Sequence, residues 1–204
     1  MNKTAAQRFL SPPSGHPTRP SGGSFVRRSH ALREYLGNGF CRSCCQADQM
    51  TVQLIPLSAQ QCPAWMERSR PEYASDLITT GESPQEAHRR AYESLEAAFP
   101  ENIPTIDNAV FDVLDGTGTT IGYLWVGTDS SEDNRSWWVW DIVVDEEHRG
   151  KGLGRKAMKL AEDYARSQGA HTLGLSVFGF NHGARGLYES MGYEIVTTKM
   201  KKHL

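Results

Sequence analysis

From Thr51 onward the chain changes rhythm several times between apolar and polar positions, and each change marks an element. Thr51-Val52-Gln53-Leu54-Ile55-Pro56 alternates as a strand does. Pro63 to Ile78 and Pro84 to Phe99 carry apolar residues at helical spacing. The second of these opens with Ser83 as N-cap, Pro84 in the first position and Glu86 in the third. Its predicted buried stripe is Ala87, Ala91, Leu95 and Ala98. Beyond Pro104 the period falls to two, which predicts strands over Ala109 to Leu114, Thr120 to Val126 and Ser136 to Val144. Asp115-Gly116-Thr117-Gly118 reads as a hairpin turn, and the polar run from Thr128 to Arg135 as a longer one. A helix from Gly152 to Gln168, a strand from His171 to Phe178, a short helix from Asn181 to Met191 and a last strand from Tyr193 to Met200 complete the order.

The three strands before Val144 form an antiparallel meander. The helix between the strands ending at Val144 and Phe178 is a crossover connection, so those two strands run parallel. The expected fold class is α+β, with no internal repeat.

Residues 1–50 read differently. Pro12, Pro13, Pro17 and Pro20 lie close together, Ser, Gly and Arg are frequent, and no acid precedes Glu34. A stretch of this kind cannot offset its ordering entropy by burial. We expect a disordered extension over 1–50 and a folded domain over 51–204, with Met50 a candidate natural start. The extension lacks the apolar core of a secretory signal and the amphipathic helix of a transit peptide. No run of eighteen apolar residues occurs, which argues against a membrane-spanning helix and for a cytoplasmic protein.

Charge sharpens the division. Residues 1–50 hold seven Lys/Arg against two acids, and 51–204 hold fifteen against twenty-two, a balance of −7. An acidic domain repels a phosphate backbone and attracts cations, so the expected partner is an amine substrate and not nucleic acid or membrane. Cys41, Cys44 and Cys45 lie within five residues, but no second Cys or His pair at matching spacing follows them, so no metal site is expected.

The most informative stretch is Val144-Asp145-Glu146-Glu147-His148-Arg149-Gly150-Lys151-Gly152-Leu153-Gly154-Arg155, between an apolar strand and an amphipathic helix. Glycine admits left-handed backbone and close approach to a ligand, and a helix start offers unpaired N–H groups at the positive end of its dipole. The spacing is neither that of a nucleotide P-loop nor of the dinucleotide fingerprint. Arg149 and Arg155 add guanidinium donors suited to phosphates.

Arg149-Gly150-Lys151-Gly152-Leu153-Gly154 resembles the signature of the GNAT N-acetyltransferases, Arg/Gln-x-x-Gly-x-Gly/Ala after the fourth strand. The likeness continues through Asn181, Ala184 and Leu187-Tyr188-Glu189-Ser190-Met191-Gly192-Tyr193. It covers 136–202 by motif and 51–135 by element order. The resemblance implies a three-layer α/β/α arrangement around a mostly antiparallel mixed sheet with a central, splayed parallel pair. It implies acetyl-CoA as co-substrate, without a metal. The backbone of Ile142, Val143 and Val144 would pair with the pantetheine arm, and the N–H groups of Gly150, Lys151, Gly152, Leu153, Gly154 and Arg155 would take the pyrophosphate. Asn181 is similar to the asparagine that bonds a pantetheine amide, although its position also suits the N-cap of the short helix. The resemblance is compatible with a homodimer.

Acetyl transfer to an amine needs a neutral amine, a stabilised oxyanion and a proton for the departing thiolate. Tyr188 resembles the family tyrosine that acts as general acid, and the Val144 N–H is the oxyanion candidate. The base departs from the pattern, because the glutamate that some members carry five residues before the asparagine is here Ser176. Asp141 could act through water, or face a helix as a buried, paired acid. Trp137, Trp138 and Trp140 lie on one strand with consecutive positions on opposite faces, so they read as core. Glu67, Glu72, Tyr73 and Glu96 are candidates for an acceptor wall. The alternative to an enzyme is a CoA-binding sensor or interaction module of the same fold.

Overall fold

The computed structural model describes residues 51–105, 107–129, 135–200 and 202. The extension expected over 1–50, with Cys41, Cys44 and Cys45, lies outside the described residues. Strand β1 (Val52–Pro56) is followed by helices α1 (Cys62–Thr79) and α2 (Pro84–Ala98), and then by β2 (Asn108–Asp115), β3 (Thr120–Thr128) and β4 (Ser136–Val144). Helix α3 (Leu153–Ser167), β5 (Thr172–Leu175) and α4 (His182–Ser190) complete the described elements.

The sheet runs in the order β1-β2-β3-β4-β5, antiparallel up to β4 and parallel between β4 and β5. The β2–β3 turn closes because the Asp115 carboxylate accepts from the backbone N–H groups of Thr117 (2.9 Å) and Thr119 (3.0 Å). Ser83 accepts from the Glu86 N–H at 3.3 Å, the cap read from the sequence. Ala87, Ala91 and Leu95 of that helix are buried as predicted, whereas Ala98 is only partly so.

Two apolar layers sandwich the sheet. On one face Leu153, Ala157, Met158, Ala161 and Ala165 of α3 and Ala184 and Tyr188 of α4 pack on Val113, Leu124, Val139 and Ile142. On the other, Cys62, Trp65 and Met66 of α1 and Leu95 of α2 pack on Tyr123, Trp125, Trp140 and Val143. This is the expected three-layer α/β/α order. Trp65 meets Phe99, Tyr123 and Trp125 edge to face at 5.1, 5.9 and 5.7 Å, a geometry that adds about 0.5–1.5 kcal/mol per pair to simple burial.

One irregularity positions the site. Trp125 pairs with Asp141 but the next residue, Val126, pairs with Val139, so Trp140 is an extra residue in β4. A β-bulge of this kind breaks strict alternation. Trp137 and Val139 face α3 and Trp138 and Trp140 face α1 and α2, while Asp141, next to Trp140, also reaches α1.

Two expectations are corrected. The strand expected over His171 to Phe178 is only Thr172–Leu175, because the chain leaves β4 after Leu175. The strand expected over Tyr193 to Met200 does not form. Its alternating pattern is present, but among the described residues no neighbouring strand supplies the ladder that a strand requires, and Ile195, Val196 and Met200 stand exposed. No described helix is long and apolar enough to cross a membrane.

Candidate functional site

β4 and β5 lie side by side for four residues, from Ser136 opposite Thr172 to Val139 opposite Leu175, and then separate. β4 continues to Val144, still laddered to β3 through Ile142–Leu124, Val143–Tyr123 and Val144–Gly122. Among the described strands none pairs with its other edge over Trp140–Val144. An extended edge of this kind offers alternate N–H and C=O groups to an extended ligand. Ile142, Val143 and Val144, all with buried side chains, form this edge.

Immediately beyond lies the glycine turn. Gly150 (φ 74°) and Gly152 (φ 75°) are both left-handed, and nothing lies within 4 Å of where a Cβ would stand on either. The backbone angle, not lack of space, therefore calls for glycine. Gly152 is the N-cap of α3, which has no side-chain cap, whereas Ser83 caps α2 and Asn181 caps α4. The first amides of α3, from Leu153 and Gly154 to Arg155, point out of the helix at the positive end of its dipole, which suits an anion. Lys151 is exposed beside them. A Cβ on Gly154 would meet Leu187 and Val144 at 3.6 and 3.9 Å, ordinary contacts.

The two arginines are engaged within the protein. Arg149 Nε donates to the Val144 carbonyl at 2.7 Å and braces the end of the open edge. The Arg155 guanidinium bonds the hydroxyl of Ser190, tying α3 to α4.

Asn181 and Tyr188 arrive on α4. The Asn181 Oδ1 accepts from the Ala184 N–H at 3.2 Å, so the capping role is realised. Tyr188 is 2% exposed, and its hydroxyl meets no hydrogen-bond partner. A buried polar group is nearly always paired, so an orphan hydroxyl is a signal. Burial, and then the nearby charge of Asp141, push its phenol well above the ordinary tyrosine value, so it stays protonated at any working pH.

Asp141 is 6% exposed and faces α1. Its Oδ2 accepts from Tyr123 Oη at 2.9 Å and from Ser69 Oγ at 3.3 Å, and the same Tyr123 hydroxyl lies 3.2 Å from Glu72 Oε2. The open strand edge, the uncapped glycine-led helix and the buried phenol share one layer, since Ile142, Leu153 and Tyr188 pack in the same apolar cluster. No group of three or more His, Cys, Asp or Glu that could hold a metal occurs among the described residues.

Comparison with known proteins accounts for this arrangement. The model of the Acetyltransferase (GNAT) family matches residues 70–193, more than half of the chain. The chain belongs to the GNAT acetyltransferase family. It is 25% identical over 156 residues to the uncharacterized N-acetyltransferase YycN of Bacillus subtilis, covering 76% of this chain and all of that one. The crystal structure of YycN superposes with a TM-score of 0.69 at 24% identity, over 76% of this chain and 99% of YycN. Bovine (Bos taurus) thialysine N-epsilon-acetyltransferase is 33% identical over 111 residues, 52% of this chain and 65% of the relative. Among more distant folds, the aminoglycoside N-acetyltransferase AAC(6')-Iy in complex with CoA matches with a TM-score of 0.50 at 12% identity, over 76% of this chain and 95% of that one. The chain is an acyltransferase of the GNAT kind.

The acceptor wall reads differently from the sequence expectation. Glu67 and Glu96 are both ion-paired to Arg70, whose guanidinium also covers the Tyr92 ring at 4.6 Å. Tyr73 is buried between α1 and α2. Glu72 joins the Asp141 network through Tyr123. Trp137, Trp138 and Trp140 divide between the two faces as expected, with Trp138 lying against the backbone of Gly174. Ser176 is half-buried just past the end of β5. Tyr123, Ser69 and Arg68 escaped the sequence reading. The only signal was that Tyr123 and Trp125 share a face of β3, which says nothing of an acid on the next strand.

Proposed function

We propose that this GNAT protein transfers the acetyl group of acetyl-CoA to a primary amine, on a small molecule or on a protein lysine or N-terminus. The observation that carries the reading is the parting of β4 from β5 beyond Val139–Leu175, with the uncapped start of α3 at one end and the buried Tyr188 hydroxyl alongside. In this reading the open edge at Ile142, Val143 and Val144 pairs with the pantetheine arm, as an added strand would. The amides of Gly150, Lys151, Gly152, Leu153, Gly154 and Arg155 receive the pyrophosphate, with the Asn181 side-chain amide on a pantetheine carbonyl. Arg149 braces the edge through the Val144 carbonyl, and in this reading its guanidinium also faces the pyrophosphate.

Attack of the amine on the thioester carbonyl develops charge on its oxygen, which the Val144 N–H stabilises as a fixed dipole. As the tetrahedral intermediate collapses and the C–S bond breaks, Tyr188 gives its proton to the thiolate and regains one from the amine nitrogen. A phenol kept above its ordinary value by burial protonates a thiolate near 8.5 only when held in line with it. Amine acceptors in the names of relatives, thialysine among them, support the acceptor class. A cytoplasmic setting belongs to the same reading, since acetyl-CoA is at hand there.

Thiol release from acetyl-CoA across a panel of primary amines tests it, comparing the parent with Tyr188→Phe and Gly152→Asp. We expect at least one amine to be turned over, Tyr188→Phe to slow the reaction about 10²–10⁴-fold without loss of CoA affinity, and Gly152→Asp to lose CoA binding. A folded parent that binds CoA and acetylates no amine would leave the sensor reading in its place.

A further inference from the structure

Acetylation of an ammonium releases one net proton. The nitrogen sheds two, one before attack and one as the intermediate collapses, and only the second is taken up by the departing thiolate. The first must reach water by some route.

The Tyr123 hydroxyl lies between two carboxylates, 2.9 Å from Oδ2 of Asp141 and 3.2 Å from Oε2 of Glu72. Asp141 is buried and Tyr123 is 1% exposed, whereas Glu72 is half-buried on α1 and reaches the surface. One hydroxyl therefore bridges an interior acid to a rim acid. Ser69 Oγ fixes the same Asp141 oxygen at 3.3 Å. Arg68, ion-paired to Asp145, lies over the Tyr123 ring with 5.3 Å between guanidinium carbon and ring centre, a contact that helps hold the ring in place. From the opposite layer the orphan hydroxyl of Tyr188, itself buried, lies within the field of Asp141. Asp141 immediately precedes Ile142 of the open β4 edge, so the interior end of the chain of groups lies beside the proposed reaction centre.

We propose that Asp141, Tyr123 and Glu72 form a proton path that takes the first proton from the acceptor ammonium and delivers it to water at the surface of α1. The path rests on the transferase reading given above. Asp141 accepts the proton from R–NH3+, and the N–H bond breaks to leave the neutral amine. The resulting carboxylic acid donates to the Tyr123 oxygen as the Tyr123 O–H proton passes to Glu72 Oε2. Asp141 returns to carboxylate, Tyr123 remains a neutral phenol, and Glu72 releases the proton to solvent. Asp141 is the catalytic base, and Tyr123 and Glu72 act through it.

Two small acceptors of similar shape separate this path from a merely structural network. Ethylamine is an ammonium at pH 7, whereas 2,2,2-trifluoroethylamine is neutral there and has no first proton to lose. The full-length protein, Tyr123→Phe, Glu72→Gln and Asp141→Asn are compared on both. We expect the ratio of kcat/KM for ethylamine to that for trifluoroethylamine to fall about 10-fold or more in each variant, a loss at the low end of general-base effects. Raising the pH should restore ethylamine turnover in the variants towards the parent's as the free amine accumulates. Tyr188→Phe, which acts on the thiolate, should lower both acceptors alike and leave the ratio unchanged. A ratio unmoved by Tyr123→Phe and Glu72→Gln, whether both acceptors slow equally or neither does, would overturn the path and leave the network as a fastening of α1 to the sheet. Glu72 lies at the helix surface, so Glu72→Gln still separates the two outcomes if Tyr123→Phe misfolds. A parent inactive on both amines while binding CoA would fail the transferase reading itself, a different result from an unmoved ratio.

Discussion

The Asn181 side-chain oxygen accepts from the Ala184 amide at 3.2 Å, so the residue proposed to bind pantetheine is at the same time the cap of α4. The two duties use different ends of one amide. Asp caps as well as Asn does, but it has no N–H2 to offer. Asn181→Asp should therefore keep the thermal stability of the parent within about 0.5 kcal/mol while raising the KM for acetyl-CoA about 10-fold. Asn181→Ala should lose both, with about 1 kcal/mol of stability gone. Calorimetric melting alongside initial-rate kinetics resolves the two effects. An Asn181→Asp protein with unchanged KM would reduce the residue to a cap.

Gly152 and Gly169 make a matched pair at the two ends of α3. Both are left-handed, at φ 75° and 87°, and both have open space where a Cβ would stand. A side chain at either position strains the backbone by about 1–2 kcal/mol. Gly152→Asp and Gly169→Asp should accordingly destabilise the fold to a similar extent. Only the first should weaken CoA binding in titration calorimetry, by about 10-fold or more, because it alone puts a carboxylate at the proposed pyrophosphate cradle.

Tyr188 and Tyr193 together predict an alkaline limit. Burial holds both phenols above their ordinary value of 10.0, with Asp141 adding to the effect on the first and Glu162 on the second. A phenol raised in the folded state contributes stability that is intact below the unfolded value of about 10 and is lost as pH rises above it. In that window the unfolded chain gives up protons that the folded chain keeps, so each phenol lowers stability by about 1.4 kcal/mol per pH unit. Urea denaturation from pH 8 to 12 should show this slope, and Tyr188→Phe should reduce it by the share of one residue.

Much of this was legible in the chain. The helical stripe of α2, the Ser83 cap and the β4–α3–β5 crossover all follow from local pattern, because each is set by residues within a turn or two of one another. The glycine turn was legible for the same reason: φ is a local property, and Gly150 and Gly152 announce it. What stayed hidden depends on neighbours far away in sequence. The stretch from Tyr193 to Met200 alternates as well as β1 does, yet β1 has β2 beside it and this stretch has no strand to pair with among the described residues. Glu67 and Glu96 look like available acids until Arg70 is found between them. Asp141 was ambiguous because its side depends on the bulge at Trp140, which shows only in the register with β3.

That single extra residue at Trp140 reaches beyond this molecule. It transfers an acid from one layer of the sandwich to the other without changing the order of residues around it. Chains matched to this one by counting forward from the start of β4 will put their acids in the wrong layer whenever they lack the extra residue. Sorting relatives by strand register, rather than by column, is the way to learn which of them carry an acid in the layer of Asp141.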